Sequence, residues 1–184
     1  MESICGIISL TESLSNLDGR IKRMANSLSD GEPLNISTTV GPTWALACAG
    51  WTEAHWPSIT FCYQDRDLAL AGIADIYNVA ELAARFQVSP GDCGKLLAAC
   101  YRADEAGWPL LIRGSFAVII YSHKQKRFVA ATDRVGIRPI VWRKEGHCYY
   151  LGGRLDAIKQ VSPSLEINTS AVYAYMHHSM IPSP

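Results

Sequence analysis

The stretch from residue 114 to residue 142 constrains the fold more than any other part of the chain. It begins with Ser115–Tyr121, a nearly unbroken run of apolar, β-branched and aromatic residues that is typical of a strand buried on both faces. A short charged turn follows, and Phe128–Thr132 returns as a second strand. Asp133 to Gly136 then ends that strand, and Gly136 is free to adopt a positive φ. The stretch therefore predicts an antiparallel hairpin near the middle of a packed sheet.

The rest of the chain alternates short apolar strands with short amphipathic helices. Strands are expected at residues 5–10, 36–40, 43–48, 58–63, 68–73 and 147–151, and helices at 17–28, 78–86, 90–102, 155–161 and 169–178. Asn16, Asn78 and Asn168 or Thr169 are expected to cap three of these helices, and loops are expected at 29–33 and 51–57. Many antiparallel strands with helices between them, in one domain, predict the α+β class.

Length and charge exclude several kinds of protein. A chain of 184 residues is one domain by the usual prior and can bury a single sizeable core. Lys plus Arg and Asp plus Glu both number 17, so no net charge attracts the chain to nucleic acid or to an anionic membrane. Neither nucleic acid nor a membrane is an expected partner, and no run approaches the roughly 18 apolar residues of a membrane span.

The six cysteines do not form a recognisable disulfide or metal pattern. The first ten residues lack a basic segment, a long apolar segment and a small-residue cleavage site, so we expect a cytoplasmic protein with reduced cysteines. No C-x-x-C or H-x-x-x-H motif occurs, and His177 and His178 point about 100° apart if they lie on a helix. No metal and no cofactor is expected.

Several motifs together resemble the glutaminase domain of asparagine synthetases, a class II glutamine amidotransferase. Residues 114–142 follow the pattern G-x-F-A, hydrophobic strand, charged turn and A-x-D-R-x-G-x-x-P, and the resemblance covers nearly all of the chain. Three further stretches agree in order and spacing: Cys5-Gly6-Ile7, Ile76-Tyr77-Asn78, and Asp92 followed by Leu96-Leu97-Ala98-Ala99. The resemblance implies the N-terminal-nucleophile (Ntn) hydrolase fold, a four-layer αββα sandwich of two antiparallel sheets with helices outside.

The resemblance makes Cys5 the candidate nucleophile. In the family the N-terminal Cys attacks the glutamine amide, and its own α-amino group is the base, because that amine titrates near pH 8 whereas an amide nitrogen accepts no proton. Four residues precede Cys5, so a leader would have to be removed before this chemistry is possible. The alternative is that Cys5 is a buried cysteine of a strand.

The resemblance also places the glutamine pocket, and most of its positions have changed. The family's A-H-E-R-L-S stretch falls on residues 47–52, so Gly50 replaces the Arg that clamps the glutamine carboxylate. The family's N-G-E-I-Y-N stretch falls on residues 73–78, so Ile73 replaces the Asn that donates to the oxyanion. Ala74 and Asp75 replace Gly and Glu, and the side chain of Asp75 is one methylene shorter. Asp92 alone matches the family, as the carboxylate that receives the glutamine α-ammonium.

Other motifs are better explained by structure than by catalysis. The family keeps the Asp133-Arg134 pair for holding strands together, so we expect a structural role here. Arg85, Arg102 and Arg113 are candidates to replace the missing guanidinium if one of them enters the cleft.

These observations lead to two main hypotheses, and a third class is a small-ligand sensor that retains the cleft but not the reaction. The first is a degenerate amidotransferase domain, residues 1–184, with weak or absent glutaminase activity and a structural role beside an adenylating synthetase domain, as in β-lactam synthetases and lasso-peptide cyclases. Glutamine is a doubtful ligand in that case. The second is an active amidohydrolase that supplies ammonia after residues 1–4 are removed. The family's synthetase domain, with its S-G-G-x-D-S loop, is absent, so we expect a fragment or a freestanding domain, and an oligomer is possible.

Overall fold

Two antiparallel sheets lie face to face in the computed structural model, which describes residues 2–29, 34–51, 59–162 and 166–181. The first sheet has the strand order β2-β3-β1-β9-β8, and the second has the order β4-β5-β6-β7. The strands of the first sheet are β1 (Ser3–Ser9), β2 (Leu34–Val40), β3 (Trp44–Trp51), β8 (Val141–Glu145) and β9 (Cys148–Gly152). Those of the second are β4 (Ile59–Gln64), β5 (Leu68–Ile76), β6 (Gly114–Ser122) and β7 (Arg127–Thr132).

The described residues form six helices, and the first five cover the outer faces of the two sheets. They are α1 (Leu17–Asn26), α2 (Val79–Phe86), α3 (Cys93–Ala103), α4 (Trp108–Leu111), α5 (Leu155–Lys159) and α6 (Thr169–His178). Helices α1 and α5 share a buried cluster with one face of the first sheet, and α2, α3 and α4 share another with one face of the second. A third cluster lies between the sheets. The predicted four-layer αββα sandwich is therefore confirmed.

Strand β1 is buried on both faces because it lies in the middle of its sheet. It pairs with β3 on one side and β9 on the other. Ile4 and Ile8 belong to the cluster between the sheets, whereas Cys5 and Ile7 belong to the cluster beneath α1. This alternation follows from the two-residue period of a strand, and it decides which side chains can reach the space between the sheets.

The predicted central hairpin forms, with one correction to its position. Strand β6 pairs with both β5 and β7, and Val118 and Ile119 are fully buried on opposite faces. Strand β7, however, is an edge strand of the second sheet rather than a central one. Gly136 has the expected positive φ, at 70°.

Only one of the predicted asparagine caps uses its side chain at the helix it precedes. Asn168 accepts hydrogen bonds from Ser170 and Ala171 at the start of α6. Asn16 adopts a left-handed conformation and makes no side-chain cap, and Asn78 makes none for α2 because its amide bridges the main chain of Leu111 and Arg113 instead. Both residues therefore have the predicted N-cap position, but neither side chain bonds to the first turn of its helix.

Two predicted loops, the length of the helices and the exposure of α6 complete the description of the fold. The loops expected at residues 29–33 and 51–57 fall largely outside the described residues. Within the described residues, no helix is long and apolar enough to cross a membrane. The side chains of α6 are all at least partly exposed.

Candidate active site

Cys5 lies on the helix-facing side of the first sheet. Its register partners are Ala47 on β3 and Gly152 on β9, and its side chain is fully buried in the cluster that contains Ile21 and Met24 of α1. The next residue faces the other way, because a Cβ on Gly6 would lie 3.3 Å from Ile119 of the second sheet. The sulfur is thus separated from the space between the sheets by the sheet itself.

The surroundings of Cys5 favour its neutral thiol. Burial raises the pKa of Cys5 well above its ordinary value, and the nearby Cys48 raises it further. All six cysteines are free thiols. Cys62 donates a weak hydrogen bond to Cys48, with 3.6 Å between the sulfurs, and this bond lowers the pKa of Cys48. The thiol whose pKa is lowered is therefore Cys48 rather than the candidate nucleophile.

Ile73 lies on the opposite side of β1 from the Cys5 sulfur. It is buried between the sheets with Ile4 and lines a cavity of about 160 Å³ at the start of β1. That cavity is lined by neither Cys5, Gly50, Asp75 nor Asp92. The positions of the nucleophile and of the oxyanion donor do not meet in this arrangement.

Gly50 faces a strand of the second sheet at close range. A Cβ at this position would collide with Thr60 Oγ1 on β4 and would lie 2.9 Å from Thr60 Cγ2. Position 50 therefore has no room for a larger side chain unless the side chain of Thr60 shifts. The position at which the sequence analysis expected the missing guanidinium is therefore closely packed against Thr60.

Ala74 and Asp75 point in opposite directions from the end of β5. Ala74 is buried in the cluster beneath α3, and the half-buried Asp75 is on the same face of β5 as Ile73. Gly114 is required beside Asp75 because its φ is 145° and any Cβ there would overlap the Asp75 carbonyl oxygen. The main chains of β5 and β6 thus pack closely against each other at Asp75 and Gly114.

Asp92 is the N-cap of α3. Its carboxylate accepts a hydrogen bond from the main-chain N–H of Lys95 at 3.0 Å, and its other oxygen lies 3.0 Å from Lys95 Nζ. The main-chain bond, followed by the side-chain contact with Lys95, lowers the pKa of Asp92 even though partial burial opposes the shift. Both carboxylate oxygens therefore have local partners at a helix that packs on β4 and β5.

The sequence matches the model of the glutamine amidotransferase domain family over residues 1–184. The chain belongs to this family. It is similar to an asparagine synthetase (glutamine-hydrolyzing) 1 of Bacillus subtilis, with 24% identity over 127 residues, covering 66% of this chain and 20% of that protein. It is also similar to a protein described as asparagine synthetase (glutamine-hydrolyzing) 2 of Methanocaldococcus jannaschii, with 26% identity over 134 residues, covering 66% of this chain and 26% of that protein.

A solved structure supports the same fold. Glutamine phosphoribosylpyrophosphate amidotransferase of B. subtilis, in complex with ADP and GMP, superposes with a TM-score of 0.63 over 86% of this chain and 43% of that chain, at 14% identity. The fold is therefore that of an Ntn-type amidotransferase. The chain spans about a quarter or less of the length of the two synthetases.

The cavity that Ile73 lines also contains two arginines that the sequence interpretation missed. Arg138 and Arg154 line the cavity at the start of β1. The three arginines suggested from sequence interact elsewhere: Arg85 lies over the ring of Phe86, Arg102 pairs with Asp65, and Arg113 lies 4.0 Å from Glu81. Arg138 occupies a variable position of the A-x-D-R-x-G-x-x-P motif, so the motif itself gave no signal for it.

That structural role belongs to Asp133 of the same amidotransferase motif. Its buried carboxylate accepts hydrogen bonds from the main-chain N–H groups of Phe116, Val135, Ile137 and Arg138, at 3.0 to 3.4 Å. Burial alone would raise the pKa of Asp133, but the four N–H groups more than offset it, and the pKa is lowered. Among the described residues, no group of three or more His, Cys, Asp or Glu side chains is placed to hold a metal ion.

Proposed function

We propose that this chain is a degenerate glutamine amidotransferase domain that does not hydrolyse glutamine and that supports an adenylating synthetase domain. The observation that carries the proposal is the face of β1 on which Cys5 lies. Its sulfur is fully buried beneath α1, whereas Ile73, at the position of the oxyanion donor, is buried between the sheets. A nucleophile and an oxyanion donor must both be within about 3 Å of the same reacting atom.

The changed pocket residues support the same conclusion independently of Cys5. Ile73 donates no side-chain hydrogen bond, and loss of one oxyanion donor lowers the rate by roughly 10²–10³ in other enzymes. Gly50 supplies no guanidinium, and Thr60 fills the space beside it. Asp92 retains its carboxylate, but Lys95 already neutralises it.

The proposed partner follows from the relatives and from the surface. The relatives are asparagine synthetases of which this chain covers a minor part. Helix α6 presents exposed apolar side chains to solvent, at Tyr173, Tyr175 and Met176, as expected of a surface that contacts another polypeptide. In β-lactam synthetases and lasso-peptide cyclases, which this chain resembles, the partner domain adenylates a carboxylate and an internal amine attacks it. Such a reaction needs no ammonia.

The alternative function is glutamine hydrolysis by Cys5 after residues 1–4 are removed. The family assignment and the two arginines at the cavity favour it. Strand pairing argues against it, because residues 5–9 pair with β9 without the help of residues 1–4, and we expect the same register after the leader is lost. A newly formed N-terminal Cys5 would then still direct its sulfur towards α1.

The two functions are separated by thiol alkylation at neutral pH. The protein is treated with iodoacetamide or with a glutamine-analogue electrophile, and the modified cysteines are mapped by mass spectrometry. Cys5 is expected to react at least about 100-fold more slowly than the half-buried Cys148, because a buried thiol reacts only when the structure opens locally. In urea the two cysteines should react at similar rates, which shows that the native structure causes the difference.

The same measurement is made on protein that begins at Cys5. We expect slow labelling of Cys5 and no release of ammonia from glutamine. Rapid, selective labelling of Cys5 together with glutamine-dependent ammonia release would establish the amidohydrolase and overturn the degenerate assignment.

A further inference from the structure

The cavity at the start of β1 is lined by both apolar and charged side chains. Ile4, Ile73 and Ala117 provide apolar surface between the sheets. Glu2, Arg138 and Arg154 also line the cavity. Its volume of about 160 Å³ suits a few non-hydrogen atoms, so it is a site for a small polar group attached to a short apolar chain.

Arg138 has donor capacity that its neighbours leave unused. Its Nε is buried and has no hydrogen-bond partner among the described residues. Its Nη2 lies 3.8 Å from Glu2 Oε2, which is an ion-pair distance but longer than a hydrogen bond. A buried N–H without an acceptor is costly, so an acceptor that reaches Nε would be bound favourably.

A second arginine lines the same cavity. Arg154 donates to Asp156 at 2.9 Å on its own helix and lines the same cavity as Arg138. The cavity lining therefore contains two guanidinium groups and the carboxylate of Glu2, while Asp156 pairs with Arg154 beside it. Because a guanidinium presents planar pairs of donors, the chemical group that it matches best is a carboxylate.

We propose that this cavity is a carboxylate-binding site that the chain's own Glu2 occupies, so that a free carboxylate binds when Glu2 is displaced. Only 13% of the Glu2 side chain is exposed, and Glu2 belongs to the short segment that precedes Cys5. The proposal rests on the proposed function in one respect. It requires that the domain does not hydrolyse glutamine, so that this cavity only binds a carboxylate. A tethered carboxylate has a high effective concentration, so a free one competes poorly with it.

The test uses the Glu2→Gln variant, which keeps the length of the side chain and removes its charge. Acetate is titrated into wild type and variant at constant ionic strength with chloride as the balancing anion, and the Nε–H signals of the arginines are followed by NMR. We expect acetate to shift the Arg138 signal in Glu2→Gln with a dissociation constant at least about tenfold lower than in wild type. Glu12→Gln, at an exposed glutamate of the same N-terminal region, should behave as wild type.

A second variant assigns the binding to Arg138. Glu2→Gln combined with Arg138→Gln should lose acetate binding while its circular dichroism spectrum stays that of the wild type. If that double variant unfolds, the shift of the Arg138 signal in Glu2→Gln alone decides the outcome. Equal acetate affinity in wild type and Glu2→Gln, or undiminished binding without the Arg138 guanidinium, would overturn the proposal. Rapid labelling of Cys5 would overturn the proposed function instead and leave the acetate result standing.

Discussion

The loop around Asp133 and the positions of the glutamine pocket were both identified from family motifs, and they differ in how they are assembled. Asp133 binds three N–H groups that lie within five residues of it, at Val135, Ile137 and Arg138. The pocket positions come from β1, β3, β5 and the start of α3. The loop therefore forms from local geometry, whereas the pocket needs four elements to present the right faces.

This difference determines how each region depends on the binding of glutamine. The Asp133 loop stabilises the fold whether or not glutamine binds, because its hydrogen bonds link the end of β7 to β6. Each pocket position contributes only when the others are present. Asp92 acts in this structure as the N-cap of α3.

The largest effect predicted from this comparison is that of Asp133→Ala. The substitution should lower the free energy of unfolding by about 3 kcal/mol, since four main-chain N–H groups lose a charged acceptor in a buried place. Urea denaturation measures this. The matched control is Asp92→Ala, which should cost about 1 kcal/mol as a lost N-cap. Equal costs for the two aspartates would contradict the distinction between loop and pocket.

The acid dependence of stability should show the same difference. The folded-state pKa of Asp133 is lowered, so its contribution is present above the unfolded pKa of about 3.9 and is lost as the pH falls through the folded value. Wild-type protein should therefore lose stability from about pH 5 downward. Asp133→Asn should flatten that part of the profile more than Asp92→Asn does. An unchanged acid slope in Asp133→Asn would show that other carboxylates control it.

A smaller effect is predicted for Gly50→Ala. This variant tests whether the space beside position 50, where the family's arginine is expected, is filled by Thr60. The new Cβ would meet the Thr60 side chain, so we expect a loss of about 2 kcal/mol in the free energy of unfolding. The loss should shrink in a Thr60→Ala background, because the colliding atoms are then absent. Gly91→Ala is the control, since its nearest neighbour would be 4.0 Å from the Cβ and little change is expected. No loss at position 50 would mean that an arginine could still be accommodated there.

The fold was predictable from sequence to the extent that it depends on local pattern and on the family motifs. The two-sided apolar run of β6 and the Asn168 cap of α6 both appear as expected. Asn16 and Asn78 show that a suitable residue before a helix caps it only when no other conformation or partner competes. The face of β1 was not predictable, because a shift of one residue in register reverses every side chain of a strand.

The smallest effect is predicted for Cys5→Ala, and it tests the helix-facing side of β1 directly. The sulfur packs as a small apolar atom beneath α1, so its removal should cost about 1 kcal/mol through loss of contacts and a small cavity. Cys100→Ala is the matched control, since Cys100 is also fully buried but lies in the cluster beneath α3. The two variants should have similar free energies of unfolding in urea. A catalytic cysteine would behave differently, because groups kept for reactivity are often held at the expense of stability. A clear gain in stability from Cys5→Ala, with the expected loss from Cys100→Ala, would therefore place Cys5 in a functional site and not in a core.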